Sequence, residues 1–164
     1  MTRLSRRIRM SAALETGYAG APGTFFPILL TGEPKFTITH DMVSRDLVRD
    51  YLGGSEEIPA NAEAEMGFST ELWAAGTAGS APAWGPLLRA CGWAEAITAA
   101  TRVEYTPTSD AFESLQFKLN ADGVQYIVKG CFGTAAIDLA TGALPKVDWT
   151  FKGVQITPTE VAFG

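Results

Sequence analysis

Few residues in this chain have the type and spacing that chemistry requires, and each can be weighed in turn. The stretch AAGTAGSAPAWGPLLRACGW, residues 74–93, comes first, because glycine loops that open a helix cradle phosphates. A loop of the G-x-x-x-x-G-K-[ST] kind ends in a lysine, and none lies between Lys35 and Lys118. The dinucleotide fingerprint needs G-x-G-x-x-G inside a βαβ unit. Gly76, Gly79 and Gly85 have another spacing, and no parallel-sheet pattern follows. Arg89 falls inside the short helix, not at the N-terminus where an anion would sit. The stretch reads as a connector that delivers a small helix across a sheet face.

His40 is the single histidine, so any Ser-His-Asp or Cys-His arrangement must use it. Asp41 beside it points the other way on a strand, which leaves His40 a polar surface residue. Cys91 and Cys131 have no C-x-x-C partner and, with one histidine, no zinc spacing; no metal and no cofactor is expected. They read as small buried thiols of a reducing compartment, with a single bridge left open. Glu63 and Glu65, two apart on one strand face, approach the separation of a glycosidase carboxylate pair. Such pairs need a cleft, aromatic platforms and unequal environments, whereas Gly67, Ser69 and Glu71 share this face. No nucleophile stands beside a base, and the chain is not expected to be an enzyme.

The elements that carry these residues are mostly strands. In NAEAEMGFSTEL, Ala62, Ala64, Met66, Phe68, Thr70 and Leu72 fall on one face and Glu63, Glu65 and Glu71 on the other, a long half-buried strand with an acidic outer side. ESLQFKLN and VQYIVKGC, joined by A-D-G, predict a hairpin with Leu115, Phe117 and Leu119 inward. TAAIDLA and KVDWTFKGV, turning at Thr141 and Gly142, predict a second, with Val147, Trp149 and Phe151 inward. RVEYTP and KFTITH add short strands. GPLLRACGW is the one clear helix, with Pro86 near its start and Gly92 as its stop. Residues 41–60 allow an amphipathic helix through Val43, Leu47, Val48 and Tyr51, then a loop through Gly53, Gly54 and Pro59. Turn signals every ten or so residues give a mostly β protein: an antiparallel sandwich or rolled barrel with one short α-helix.

Bulk properties narrow the class. The 164 residues make one domain by length, enough to bury roughly 70% of the unfolded surface. No apolar run approaches the roughly 20 residues of a membrane helix, and no partner membrane is expected. The net charge of −5 argues against a duplex-binding surface, which needs a basic face. Arg3, Arg6, Arg7 and Arg9 form a basic start, but Glu15 and the turn residues after it break off a signal-peptide pattern; residues 1–15 read as an arm or a strand.

Three stretches carry a resemblance. RDLVRDYLGGSEEIP, ELWAAGTAGSAPAWGPLLRACGWAEAI and YTPTSDAFESLQFKLNADGVQYIVKGCFGT together resemble the tail tube (major tail) proteins of long-tailed bacteriophages. The middle stretch, E-x-x-x-x-G-T-A-G followed by A-P-x-W-G-P-L-L-R-A-C-G, is the most specific, and the match covers about two thirds of the chain. The resemblance implies a β-sandwich-like domain that forms six-membered rings, stacked into a tube through which DNA passes without specific binding. Implied partners are other copies, a tape measure and a terminator; the implied location is the virion, after assembly in the host cytoplasm. On that reading Glu63, Glu65 and Glu71 face the lumen. Residues 41–60, with Arg45, Asp46, Arg49, Asp50, Glu56 and Glu57, make contacts between subunits, and Arg6, Arg7 and Arg9 are available to pair with those acids across a ring junction. Leu87 and Leu88 dock the helix while Trp84 and Trp93 flank it. A terminator or head–tail joining ring is the alternative within the virion; a sandwich module binding carbohydrate or a host surface is the alternative outside it.

Overall fold

A computed structural model of the chain describes residues 8–45, 56–121 and 123–160, leaving aside the side chains of 155–157. In chain order the elements are β1 (Ile8–Leu14), β2 (Phe26–Ile28), β3 (Lys35–Ser44), β4 (Glu57–Glu71), α1 (Gly85–Arg89), β5 (Trp93–Thr98), β6 (Arg102–Pro107), β7 (Leu115–Ala121), β8 (Val124–Asp138) and β9 (Lys146–Glu160). Seven strands form one antiparallel sheet in the order β2-β1-β7-β8-β9-β4-β3, and β5 pairs with β6 beside it. The architecture is the mostly β, antiparallel one with a single short helix that the alternation predicts.

The sheet is rolled. Phe68 on β4 packs edge-on against Phe117 on β7 with ring centroids 5.9 Å apart, although β9 and β8 lie between their strands. On a flat sheet, strands three apart stand about 14 Å from each other. Phe36 on β3 likewise reaches Tyr126 on β8 at 5.2 Å. The Thr31 amide, just after β2, donates to the Ser69 carbonyl of β4 at 2.9 Å, which ties one margin of the sheet to the other. Met66, Phe117, Trp149 and Phe151 fill the interior that results, with Phe117 and Phe151 4.9 Å apart. The one indole N–H buried there donates to Thr70 Oγ1 at 2.9 Å, so Trp149 brings in no unpaired donor.

Two long strands run further than their sequence patterns show. VQYIVKGC and Thr134–Asp138 of TAAIDLA belong to a single β8, 15 residues long. Its pairing register shifts between Lys129 and Phe132, where Gly130 has φ +61°. A Cβ there would meet the Tyr18 ring at 2.8 Å, so glycine is required by both backbone and space. The Glu15 carboxylate fixes this bulge, accepting the amides of Gly130 at 3.0 Å and Ala19 at 3.0 Å and the hydroxyl of Ser114 at 2.5 Å. The connector 15–25 thereby roofs the outward side of β7, which is why Gln116 is buried there against its alternation.

The 41–60 segment departs from the helix-then-loop expectation at both ends. Residues 41–44 complete β3 and 57–60 begin β4, with Pro59 paired to Met42 beside a bulge. Leu47, Val48, Tyr51, Gly53 and Gly54 lie outside the described residues. β5 had no clear pattern in the sequence, because Ala94 and Ala96 alternate with Glu95 and give no hydrophobic contrast. Replacing Phe117 by alanine should cost about 3–5 kcal/mol in denaturant unfolding, since the Phe68 and Phe151 rings would face the cavity.

Candidate functional site

Four strands, β3, β4, β9 and the far half of β8, present an open outer face. Strand alternation sets its lining: Glu63, Glu65, Ser69 and Glu71 on β4 stand opposite Val154, Lys152, Asp148 and Lys146 on β9. Phe132, Thr134, Ala136 and Asp138 of β8 continue the same face. All three sequence-selected glutamates are exposed on it. The face is acidic but not uniformly so, because Lys35, Lys146 and Lys152 are interleaved with the carboxylates. Lys152 Nζ lies 3.5 Å from Glu65 and 3.9 Å from Glu63, with every partner more than half exposed. Such pairs contribute little to folding. The sequence pattern along β4 alone hid these cations, since they come from the neighbouring strands β3 and β9.

The margins of this four-stranded patch matter more than its centre. Among the described residues β3 is the last strand of the sheet, so one row of its backbone groups has no strand partner there. At the other side β7 pairs with β8 only as far as Leu115 opposite Cys131. The Gly133 amide still donates to the Ala90 carbonyl at 3.3 Å, and beyond it residues 134–138 pair with β9 alone. The bulge at Gly130 is thus the point where β8 leaves one sheet environment for another.

The connector and helix close one end of the roll. Pro86 sits in the first turn of α1, and Gly92 at φ +82° ends it, its amide donating to Arg89 at 3.1 Å. Leu87 and Leu88 are buried in the core; Trp84 and Trp93 are half-buried against it. Trp84 Nε1 donates to the Trp73 carbonyl at 2.8 Å. Arg89 grips Glu113 through Nε at 2.6 Å and Nη2 at 2.5 Å, and the Tyr105 hydroxyl donates to Glu95 at 2.5 Å. The hydrogen bonds to Glu113 raise the Arg89 pKa, while burial, then Glu95, raises that of Tyr105. Glu95 and Glu113 carry no sequence signal, because their partner is on another element. These groups lock a helix in place.

At the far end of β3 and β4 the Arg45 amide donates to the Glu56 carbonyl at 3.3 Å, and Glu57 pairs with Ser44. Asp46, Arg49 and Asp50 lie outside the described residues, as do Arg3, Arg6 and Arg7. Arg9 is exposed on β1. Among the described residues no three metal-ligating side chains converge, and no helix is long and apolar enough to cross a membrane.

The family model for the phage tail tube protein matches residues 5–163. The chain belongs to the phage tail tube protein family. Solved structures share its fold at low identity. One is the tail of an empty GTA particle refined with C6 symmetry, with TM-score 0.58, 9% identity, and coverage of 98% of this chain and 100% of that one. A second is the sheath–tube complex of an extracellular contractile injection system, PVC, in the extended state, with TM-score 0.51, 10% identity, and coverage of 93% and 89%. A third is the tube-terminating cap of the anti-feeding prophage, with TM-score 0.51, 13% identity, and coverage of 98% and 94%. No curated protein matches the sequence.

In this member of the tail tube family the exposed carboxylates stand apart from the folding core. Changing Glu63 and Glu65 to glutamine should alter unfolding free energy by less than about 0.5 kcal/mol each, read from denaturant curves. The buried thiols behave otherwise. Burial pushes Cys91 from 9.0 up to about 12 and raises Cys131 as well. A folded pKa above the unfolded one gives stability that is complete below pH 9 and lost as pH climbs toward 12. Melting temperature should be level from pH 6 to 8 on account of these groups and fall steadily above pH 9.

Proposed function

We infer that this chain is the structural subunit of a tail tube, in which copies close into rings of six, the rings stack, and the lumen conducts DNA during ejection. The role is that of a building part of the particle and not of a catalyst. One observation carries the reading: a four-stranded patch bounded on both sides by unpaired backbone, β3 on one margin and residues 134–138 of β8 on the other. An exposed strand edge is a template for pairing, and closing the sheet between copies removes every such edge. Six patches contribute 24 strands, and at about 4.8 Å per strand they enclose a barrel about 37 Å across before tilt widens it.

In such a barrel one face of the patch lines the lumen, and the open acidic face suits that place. Glu63, Glu65, Glu71, Asp138 and Asp148 outnumber Lys35, Lys146 and Lys152 on it. A duplex carries one negative charge per roughly 1.7 Å, so a basic wall would hold it and an acidic wall repels it. Each pair at about 10 Å is worth only about 0.4 kcal/mol in water before screening. The repulsion accumulates around and along a tube, enough to keep the cargo from sticking.

Contacts between subunits fall to the 41–60 region, through Arg45, Glu56 and Glu57 and the neighbouring Asp46, Arg49 and Asp50. Tape measure and terminator proteins complete the partners, the location is the virion, and assembly takes place in the host cytoplasm. Membership of the tail tube family supports the location in the tail.

Electron microscopy of the purified protein should show hollow tubes or stacked rings; a lone ring would instead indicate a terminator, and a stable monomer a binding module. Hydrogen exchange gives a sharper test. Amides of β3 that do not face β4, and those of 134–138 that do not face β9, should exchange fast in monomer and become protected on assembly. Tubes in which these edge amides remain unprotected would exclude ring closure through the edges.

A further inference from the structure

A pocket of about 460 Å³ lies at the Glu71 end of β4, between Leu29, Leu30, Thr31, Glu71 and Trp73. Its walls are apolar except at two points. One is the Glu71 carboxylate; the other is the backbone of residues 29–31. Leu29 is 70% exposed beside it, and Leu139 and Leu144 are exposed on the β8–β9 hairpin at the same end. A largely apolar slot with one carboxylate suits a side chain that is apolar along its stem and cationic at its tip. Arginine has that form, with a stem that packs on an aromatic face and a planar fork of donors.

The opposite end of the same strands carries the counterpart. Met42 and Val43 on β3 and Ile58 on β4 are exposed, and Arg45 follows directly after β3. Ser44 pairs with Glu57, so this end lies the length of β4 away from Glu71, about 46 Å. One chain thus bears an arginine with apolar neighbours at one end and an acidic apolar pocket at the other. Surfaces of that kind meet when one copy is translated along the strands, a heterologous contact that propagates without closing.

We propose that the Glu71 pocket of one copy receives Arg45 of a copy in the next ring, with Met42, Val43 and Ile58 covering Leu29 and Trp73. The proposal rests on the stacked-ring reading above and names the side chains that join one ring to the next. Lys146 stands across from Glu71 on β9, and a carboxylate has acceptor capacity for both cations. The guanidinium pairs with Glu71.

Charge reversal tests it. Arg45→Glu and Glu71→Arg should each release free rings, with at least about tenfold fewer rings per tube by negative-stain microscopy. The double variant, Arg45→Glu with Glu71→Arg, should restore tubes of the original length. Thermal melts check that each variant folds; if Glu71→Arg lowers the melting temperature, Glu71→Gln keeps the shape and should shorten the tubes. Tubes of unchanged length from the single variants, or no restoration by the double one, would overturn the contact while leaving the ring reading intact. Unaltered protein that forms neither rings nor tubes would overturn both.

Discussion

A backbone edge without a partner is the constraint on which this molecule turns. β8 and β9 are each 15 residues long, more than the interior of one small domain can use. The near half of β8 pairs with β7 over the core, and its far half pairs with β9 alone. Among the described residues, one side of that half and of β3 has no strand partner. Soluble monomers usually blunt such edges with short strands, prolines or inward charges, because they template association. Here the length is kept.

The rest of the structure makes this edge possible. Gly130 turns β8 out of its pairing with β7, and the Glu15 carboxylate holds the turn by accepting an amide that the bulge would otherwise leave without a partner. The rolled sheet then needs a stopper, and α1 supplies one through Leu87 and Leu88, locked by Arg89 on Glu113. A partly buried, bidentate pair of that kind is stronger than a neutral hydrogen bond because it is charge-assisted and fixed in geometry by two parallel bonds. Core and edge are therefore coupled: the same residues that bury Trp149 and Phe151 also fix where β8 and β9 project.

Much of the fold was legible in the sequence. Period-two alternation located β4, β7 and β9 and selected their buried residues, because a half-buried strand leaves a two-residue rhythm that tertiary context rarely erases. The short helix was legible from Pro86 and Gly92. Where alternation has no contrast, as in β5, or where a glycine bulge interrupts it, as in β8, the pattern divided or missed the element. The 41–60 segment misled for another reason: Val43, Leu47, Val48 and Tyr51 fit a helical spacing, yet Asp41 to Ser44 gain more from ladder pairing with β4.

The candidate surface was half legible. The sequence by itself determined that Glu63, Glu65 and Glu71 share one solvent-facing side, since that follows from the two-residue period of a single strand. It also determined that the glycine-rich stretch leads into a packing helix, since no lysine or fingerprint spacing supports a phosphate there. Only the tertiary structure decided that Lys152 and Lys146 stand among those carboxylates, that β8 breaks from β7 at Gly130, and that two strand edges are left unpaired. Those facts depend on register between strands far apart in the chain. A sequence records local rhythm, while cross-strand register is set by the packing of the whole sheet.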